Sequence, residues 1–327
     1  MSEKKLDTKL LNLLSHEASG KDIQKAFQLC VRKDKKYSKK VTKQLRQHPF
    51  YCLEYNLEAK YTCNLKQLNI IEQGLRKFPK KILKLNNLRE LDLSWNKLGE
   101  LPEDIRRLHK LKDLALHQNR FRELPPALGA LKKLRRLLLL GNQLETLPGE
   151  IGKLKQLKEL NLADNKLTKL PDEITQLKNL RTLVLSNNLI TTLPADFERL
   201  TKLKWLSLGE NPPMADWNKA LKTLSKLPKL KCLYLNELTE LPTAIKRLKN
   251  ITELHICQSP QMKELSPIIG ELTQLKELCL YENRLTHLPK EIAKLKRLKV
   301  LHLYNNPISK KEQKHIQKLL PNCKVWF

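Results

Sequence analysis

"LRELDLSWNKLGELPEDIRRLHK", residues 88–110, spaces its leucines in two ways. Leu88, Leu91 and Leu93 open it, Asn96 follows, and Leu98 and Leu101 come next. Pro102 then leads into Ile105 and Leu108. The stretches "LKDLALHQNRFRELPPALGALKK" (111–133), "LRRLLLLGNQLETLPGEIGKLKQ" (134–156) and "LKELNLADNKLTKLPDEITQLKN" (157–179) align on it without a gap. The unit is LxxLxLxxNxLxxLPxxIxxLxx, 23 residues long. A fixed period of this size marks stacked units sharing one core, so a chain of 327 residues need not divide into separate domains. Units begin at Leu65, Leu88, Leu111, Leu134, Leu157, Leu180, Leu203, Leu230, Ile251, Leu275 and Leu298.

Each position has a physical task. In LxxLxL the leucines of a short strand point inward, and the third, fifth, seventh and eighth positions face outward. The ninth-position Asn (96, 119, 142, 165, 188, 211, 283 and 306) offers an amide to backbone groups that the turning chain leaves unpaired. Leu-Pro begins the return segment, because Pro lacks an N–H and sets φ. The xxIxxL spacing suits a short helical or 3₁₀ turn.

These motifs resemble the leucine-rich-repeat family from residue 65 to about 321. The LPxxIxxL form is similar to the Ras-suppressor and Scribble-type subfamily, the plant intracellular Ras-group relatives and bacterial leucine-rich-repeat proteins. The expected fold is an α/β solenoid, a right-handed horseshoe with one short parallel strand per unit on its concave face. The resemblance implies a protein-recognition scaffold and leaves the partner unidentified.

Three adjacent units depart from the pattern over residues 203–274. The unit at Leu203 is long, with a true helix expected after "ENPP"; the unit at Leu230 is short and lacks its Asn; and Ser259 replaces Asn in the unit at Ile251. The expected organisation is a helical N-terminal cap or small module over 1–64, the solenoid over 65–306, and a helix with a closing strand over 307–327. Within the cap, helices are expected over 6–16, 20–33 and 38–48. The first would bury Leu10, Leu11, Leu13 and Leu14, and the second Ile23, Phe27, Cys30 and Val31.

Lys and Arg number 63 against 34 Asp and Glu, a net charge of +29. Such a balance favours anionic partners and also keeps an elongated protein soluble. Seven irregularly spaced cysteines with no CxxC point to free thiols in a reducing compartment, and a cytoplasmic location is expected. No stretch approaches the apolar length of a membrane span.

Charge is segregated along the repeat. The outward columns hold the acids Glu72, Glu90, Asp92, Asp113, Glu159, Asp164, Glu210, Glu237, Glu253, Glu277 and Glu282, and Arg136 is the one Lys or Arg there. Lysines and arginines recur at the second position and at the ends of the return segments, drawing a stripe along a flank. Carboxylates on the concave face repel phosphate, and no RRM, KH or zinc-finger signature is present, so nucleic acid is disfavoured there.

The expected partner is therefore a protein steered by complementary charge, notably from Glu90, Asp92, Asp113, Glu253 and Glu277. Aromatic and imidazole anchors would be Trp95 (beside His117), Trp205, Tyr234, His255, Tyr281, His302 and Tyr304. Leu138, Leu140 and Val184 add an apolar strip. The competing reading of the anchors is that they pack on one another along the sheet. The competing function is an anion binder that takes nucleic acid or lipid headgroups on the basic flank.

His255 and Cys257 fall in the fifth and seventh columns of one strand, and Cys279 and His302 follow in the fifth column of the next units. These are ligands zinc accepts. Four parallel side chains on an open sheet do not converge on a tetrahedron, however. The stretch is read as recognition surface, with a metal site on these four as the alternative and no cofactor implied. No Gly-rich phosphate loop, GxSxG or HExxH occurs, and no enzyme activity is expected. Nothing in the sequence sets the oligomeric state.

Overall fold

The computed structural model describes residues 3–15, 18–32, 34 and 36–327. From residue 65 onward each unit contributes one strand: β1 Gln67–Asn69, β2 Glu90–Asp92, β3 Asp113–Ala115, β4 Arg136–Leu138, β5 Glu159–Asn161, β6 Thr182–Val184, β7 Trp205–Ser207, β8 Cys232–Leu235, β9 Glu253–Ile256, β10 Glu277–Cys279 and β11 Val300–His302. A twelfth, β12 Lys324–Trp326, closes the array, and all pair in parallel in chain order. Neighbours align unit on unit, as in Glu90 with Asp113 and Leu91 with Leu114. The same pattern position therefore forms a straight column across the sheet.

The return segments are five-residue 3₁₀ turns in most units, such as Glu103–Arg107 and Asp172–Gln176, each entered from Pro. They stack closely enough to restrict side-chain size. A Cβ on Gly152 would sit 2.5 Å from the Glu173 carbonyl oxygen, so only glycine fits that approach. Leucines and isoleucines from strand and turn form one continuous core from Leu53 to Leu320.

Asparagine ties the units together. Asn165 Nδ2 donates to the carbonyls of Leu139, Leu162 and Ala163, while its Oδ1 accepts from the Leu144 N–H at 2.9 Å. Two of these four bonds cross to the preceding unit. Asn119, Asn188 and Asn211 repeat the set. In the unit at Leu230 the rung is missing, and Ser259 supplies only a hydroxyl, accepting from the Leu238 N–H at 3.2 Å.

The long unit carries the helix expected of it. This is α6, Trp217–Leu224, capped by Asp216, whose Oδ1 accepts from the Lys219 N–H at 2.9 Å. Its exposed Asn218 reaches the next unit on the outer side, where Oδ1 accepts from the Ala244 N–H at 2.9 Å and the Thr243 hydroxyl at 3.1 Å. An outer bridge thus stands where the inner rung is lost.

Among the described residues five helices precede β1: α1 Glu3–Leu13, α2 Gly20–Arg32, α3 Lys39–Leu45, α4 Pro49–Glu54 and α5 Ala59–Thr62. The sequence pattern anticipates three, and the ends it sets at 16 and 33 fall outside the described residues. Leu6, Leu10 and Leu14, spaced by four, are the buried residues of the first segment, whereas Leu11 and Leu13 are only half-buried. Phe27 and Cys30 are buried as expected, but Val31 is 41% exposed and Ala26 takes the inward place. These helices enclose a small core of their own, separate from that of the solenoid. At the far end α7, Lys310–Leu319, and β12 occupy the expected cap.

Asn165→Ala should leave the buried Leu144 N–H without a partner, while the Leu139 carbonyl keeps the Asn142 amide, and cost about 1–3 kcal/mol. Asn306→Ala, at a partly buried rung near the end, should cost clearly less. Urea unfolding followed by far-UV circular dichroism checks both.

Candidate functional site

The solvent-facing side of the sheet is built from columns three and five, while column seven is mixed, with Tyr281 and Tyr304 half-buried and Ile71 exposed. Ser94, Ala163 and Cys257 in column seven are buried, so Cys257 is not open surface as the alternation alone implies. The strand pleat has ended by that point and the chain is already turning. Column eight shows why: its residue is left-handed in every unit, including Glu72, Trp95, Asp164, Glu210 and Glu282, at φ from 49° to 69°. Gly, Asn and Asp suit that conformation, and a bulky side chain there is strained. Trp95, at φ 59° and 59% exposed, is the clearest case.

In the N-terminal half, Glu90, Asp92 and Asp113 line a shallow depression of about 220 Å³, with Arg136 and Leu138 at its edge. Arg136 stands in column three between two acids, 3.5 Å from Asp113 and 3.4 Å from Glu159. The column is therefore partly self-neutralised. Glu90 accepts from the Gln67 amide and Asp92 from the Ser94 N–H, so their carboxylates are oriented. His117, in the unit next to Trp95, has a buried Nδ1 without a partner, and burial holds its pKa below the usual imidazole value. Leu138, Leu140 and Val184 are half-buried.

In the C-terminal half the expected anchors come together with one another. Trp205 packs on Tyr234 at 5.1 Å between ring centroids, and Tyr234 stacks on His255 at 3.8 Å and 7°. Tyr281 stacks on Tyr304 at 4.7 Å, and His302 meets Tyr304 edge-on. Tyr234 thus has a ring on either side. The row continues into Trp326, in register with His302 and 46% exposed, with the Lys324 ammonium 4.0 Å above its ring. Trp326 escaped the sequence reading because the closing strand lies beyond the repeat. Exposed Ile71, in column seven of the first unit, was missed too.

The set His255, Cys257, Cys279 and His302 is rearranged by the structure. His255, Glu277 and Cys279 bring ligand atoms within 4.8 Å of one another, as do Cys232, Glu253 and His255. His302 stands outside, with Nε2 3.8 Å from the Glu277 carboxylate. Cys257 belongs to neither group; the Cys279 Sγ lies 3.6 Å from the Glu277 carboxylate, and the neighbouring Cys257 thiol together with burial pushes the Cys279 thiol far up. Burial and the Glu253 carboxylate do the same for Cys232. Cys232 lies in column three, beside rather than within the column-five and column-seven row of His255, Cys257, Cys279 and His302.

The basic flank is exposed and crowded. Lys155 is held below the usual ammonium value by desolvation and by its neighbours Lys132 and Lys178. No helix among the described residues is long and apolar enough to cross a membrane.

Two family models match the chain: a leucine-rich repeat over residues 155–212 and a leucine-rich repeat region over 76–165. No curated protein matches it. Among solved structures, a leucine-rich-repeat protein of Leptospira interrogans is 30% identical, covering 81% of this chain and 96% of its own, with a TM-score of 0.35. An internalin of Listeria monocytogenes is 21% identical over 86% of this chain and 87% of its own, at a TM-score of 0.61. A TDR receptor is 27% identical over 76% of this chain and 48% of its own, at a TM-score of 0.53.

Thiol reactivity should follow burial. Cys63 is exposed, whereas burial pushes Cys30 and Cys52 up to about 12, leaving little thiolate near neutral pH. Iodoacetamide should label Cys63 first and reach Cys30, Cys52, Cys232 and Cys279 only on unfolding, as read by peptide mass spectrometry.

Proposed function

Because this chain belongs to the leucine-rich-repeat family, we propose that it is a non-enzymatic interaction scaffold that takes a partner protein on the solvent-facing side of its sheet. The partner's contact surface is basic or mixed in charge, and Trp95 is its central anchor. The observation that carries this reading is the conformation of Trp95. A left-handed φ costs a non-glycine residue on the order of 1 kcal/mol or more, and this indole recovers little of that by burial. The repeat imposes that conformation on every unit, yet here it holds a large indole 59% exposed to solvent, and exposed Trp is enriched among interface anchors. Glu90, Asp92 and Asp113 beside it offer oriented carboxylates to steer a cationic surface.

Trp205, Tyr234, Tyr281 and Tyr304 take a lesser part, since their rings already pack on each other. They supply a preformed aromatic ledge at low entropy cost. A recognition role is in keeping with the TDR receptor's likeness to this chain. The crowded lysines around Lys155 favour the second reading, an anion-binding flank.

The wild type, Trp95→Gly and the charge-reversed Lys132→Glu/Lys155→Glu/Lys178→Glu serve as parallel baits in native lysate, eluted with a salt ramp. Trp95→Gly is expected to melt no lower than wild type, since glycine relieves the left-handed strain. It should nevertheless lose a protein that wild type and the lysine variant both retain at moderate salt. Retention that ignores Trp95 and disappears in the lysine variant sinks the scaffold reading in favour of the flank.

A further inference from the structure

The groups around His255 are an unusual collection for a recognition surface. On β8, β9 and β10, column three reads Cys232, Glu253, Glu277, and column five reads Tyr234, His255, Cys279. Thiols, carboxylates and one imidazole are thereby packed side by side, and no Lys or Arg occupies the outward columns of these strands. His255 is 92% removed from solvent, at 8% exposure, and its Nε2 is buried without a hydrogen-bond partner. A buried polar nitrogen normally finds one, and an orphan among soft and anionic groups is what a coordination position looks like before the ion is counted. Cys279 is buried as well.

We propose that His255, Glu277 and Cys279 bind one divalent cation of the zinc class. With Zn–N of about 2.0–2.1 Å and Zn–S of about 2.3 Å, tetrahedral geometry sets ligand atoms about 3.3–3.8 Å apart. The three atoms already lie within 4.8 Å, so side-chain rotations that draw them together by about 1 Å close the site. The ligands come from two columns and two strands, which removes the difficulty of parallel side chains in a single row. The Cys279 Sγ already lies 3.6 Å from the Glu277 carboxylate, and the fourth position is left to solvent. Outer contacts orient the set: Tyr234 stacks flat on the imidazole, and His302 reaches the Glu277 carboxylate. Binding displaces the Cys279 thiol proton to solvent. His255 also belongs to the group with Cys232 and Glu253, so occupancy of one group excludes the other.

The test uses cobalt(II) as the probe, titrated into the chelator-treated full chain under reducing, anaerobic conditions. A thiolate-to-cobalt charge-transfer band should grow to saturation at one cobalt per chain and disappear on adding zinc. Cys279→Ser and His255→Ala should abolish it, and Glu277→Gln, at a half-exposed side chain, should weaken binding by about tenfold or more. Cys232→Ser and the surface control Cys63→Ser should leave it unchanged. Zinc should raise the Tm of wild type and of Cys232→Ser but not of Cys279→Ser. This second readout, with Glu277→Gln, covers the case of a buried variant that folds poorly. A band that never saturates, that survives Cys279→Ser, or that follows Cys232 or Cys63 overturns the proposal.

Discussion

The sheet depends on one side-chain amide used repeatedly. At the end of each strand the backbone turns before its carbonyls and amides can pair, and the asparagine of the next unit reaches back to take them up. Asn119 does this for Leu93 and Leu98, and Asn188 for Leu162 and Leu167. A hydroxyl cannot match it, having one donor where the amide has two. That limit is visible at Ser259, which holds a single bond to the preceding unit.

The solenoid was legible because its physics repeats. Inward leucines, the ninth-position Asn and the Leu-Pro step recur often enough to set strand, rung and turn in the regular units, and the break in spacing marks the helix in the long one. The N-terminal helices were less so. Their faces are short and their apolar residues outnumber the inward places, so Val31 was assigned inward when Ala26 holds that position. Pro49–Glu54 and Ala59–Thr62 are too brief to show a period.

The site was legible by column and blurred by depth. Alternation correctly placed Glu90, Asp113, Trp205 and His255 on one side of the sheet. It could not show that the pleat ends after column five, which sinks Cys257 and forces column eight into a left-handed turn. Nor could it show which neighbours use each other as partners: Arg136 between two acids, Tyr234 between Trp205 and His255. Those are matters of rotamer and reach, set by packing.

Asn218 changes how the array tolerates drift. At most other junctions an asparagine rung lies in the interior, hidden among leucines, and exposed pairs such as Arg136 with Asp113 and Glu159 only add to it. Between the units at Leu203 and Leu230 the rung is absent, and the compensating amide is on the outer surface of α6, in water. A stacked array is cooperative only as far as each junction transmits. An exchange at Asn218 therefore leaves this junction to the backbone ladder and the shared leucine core alone, which makes it the junction with the least side-chain reinforcement to lose.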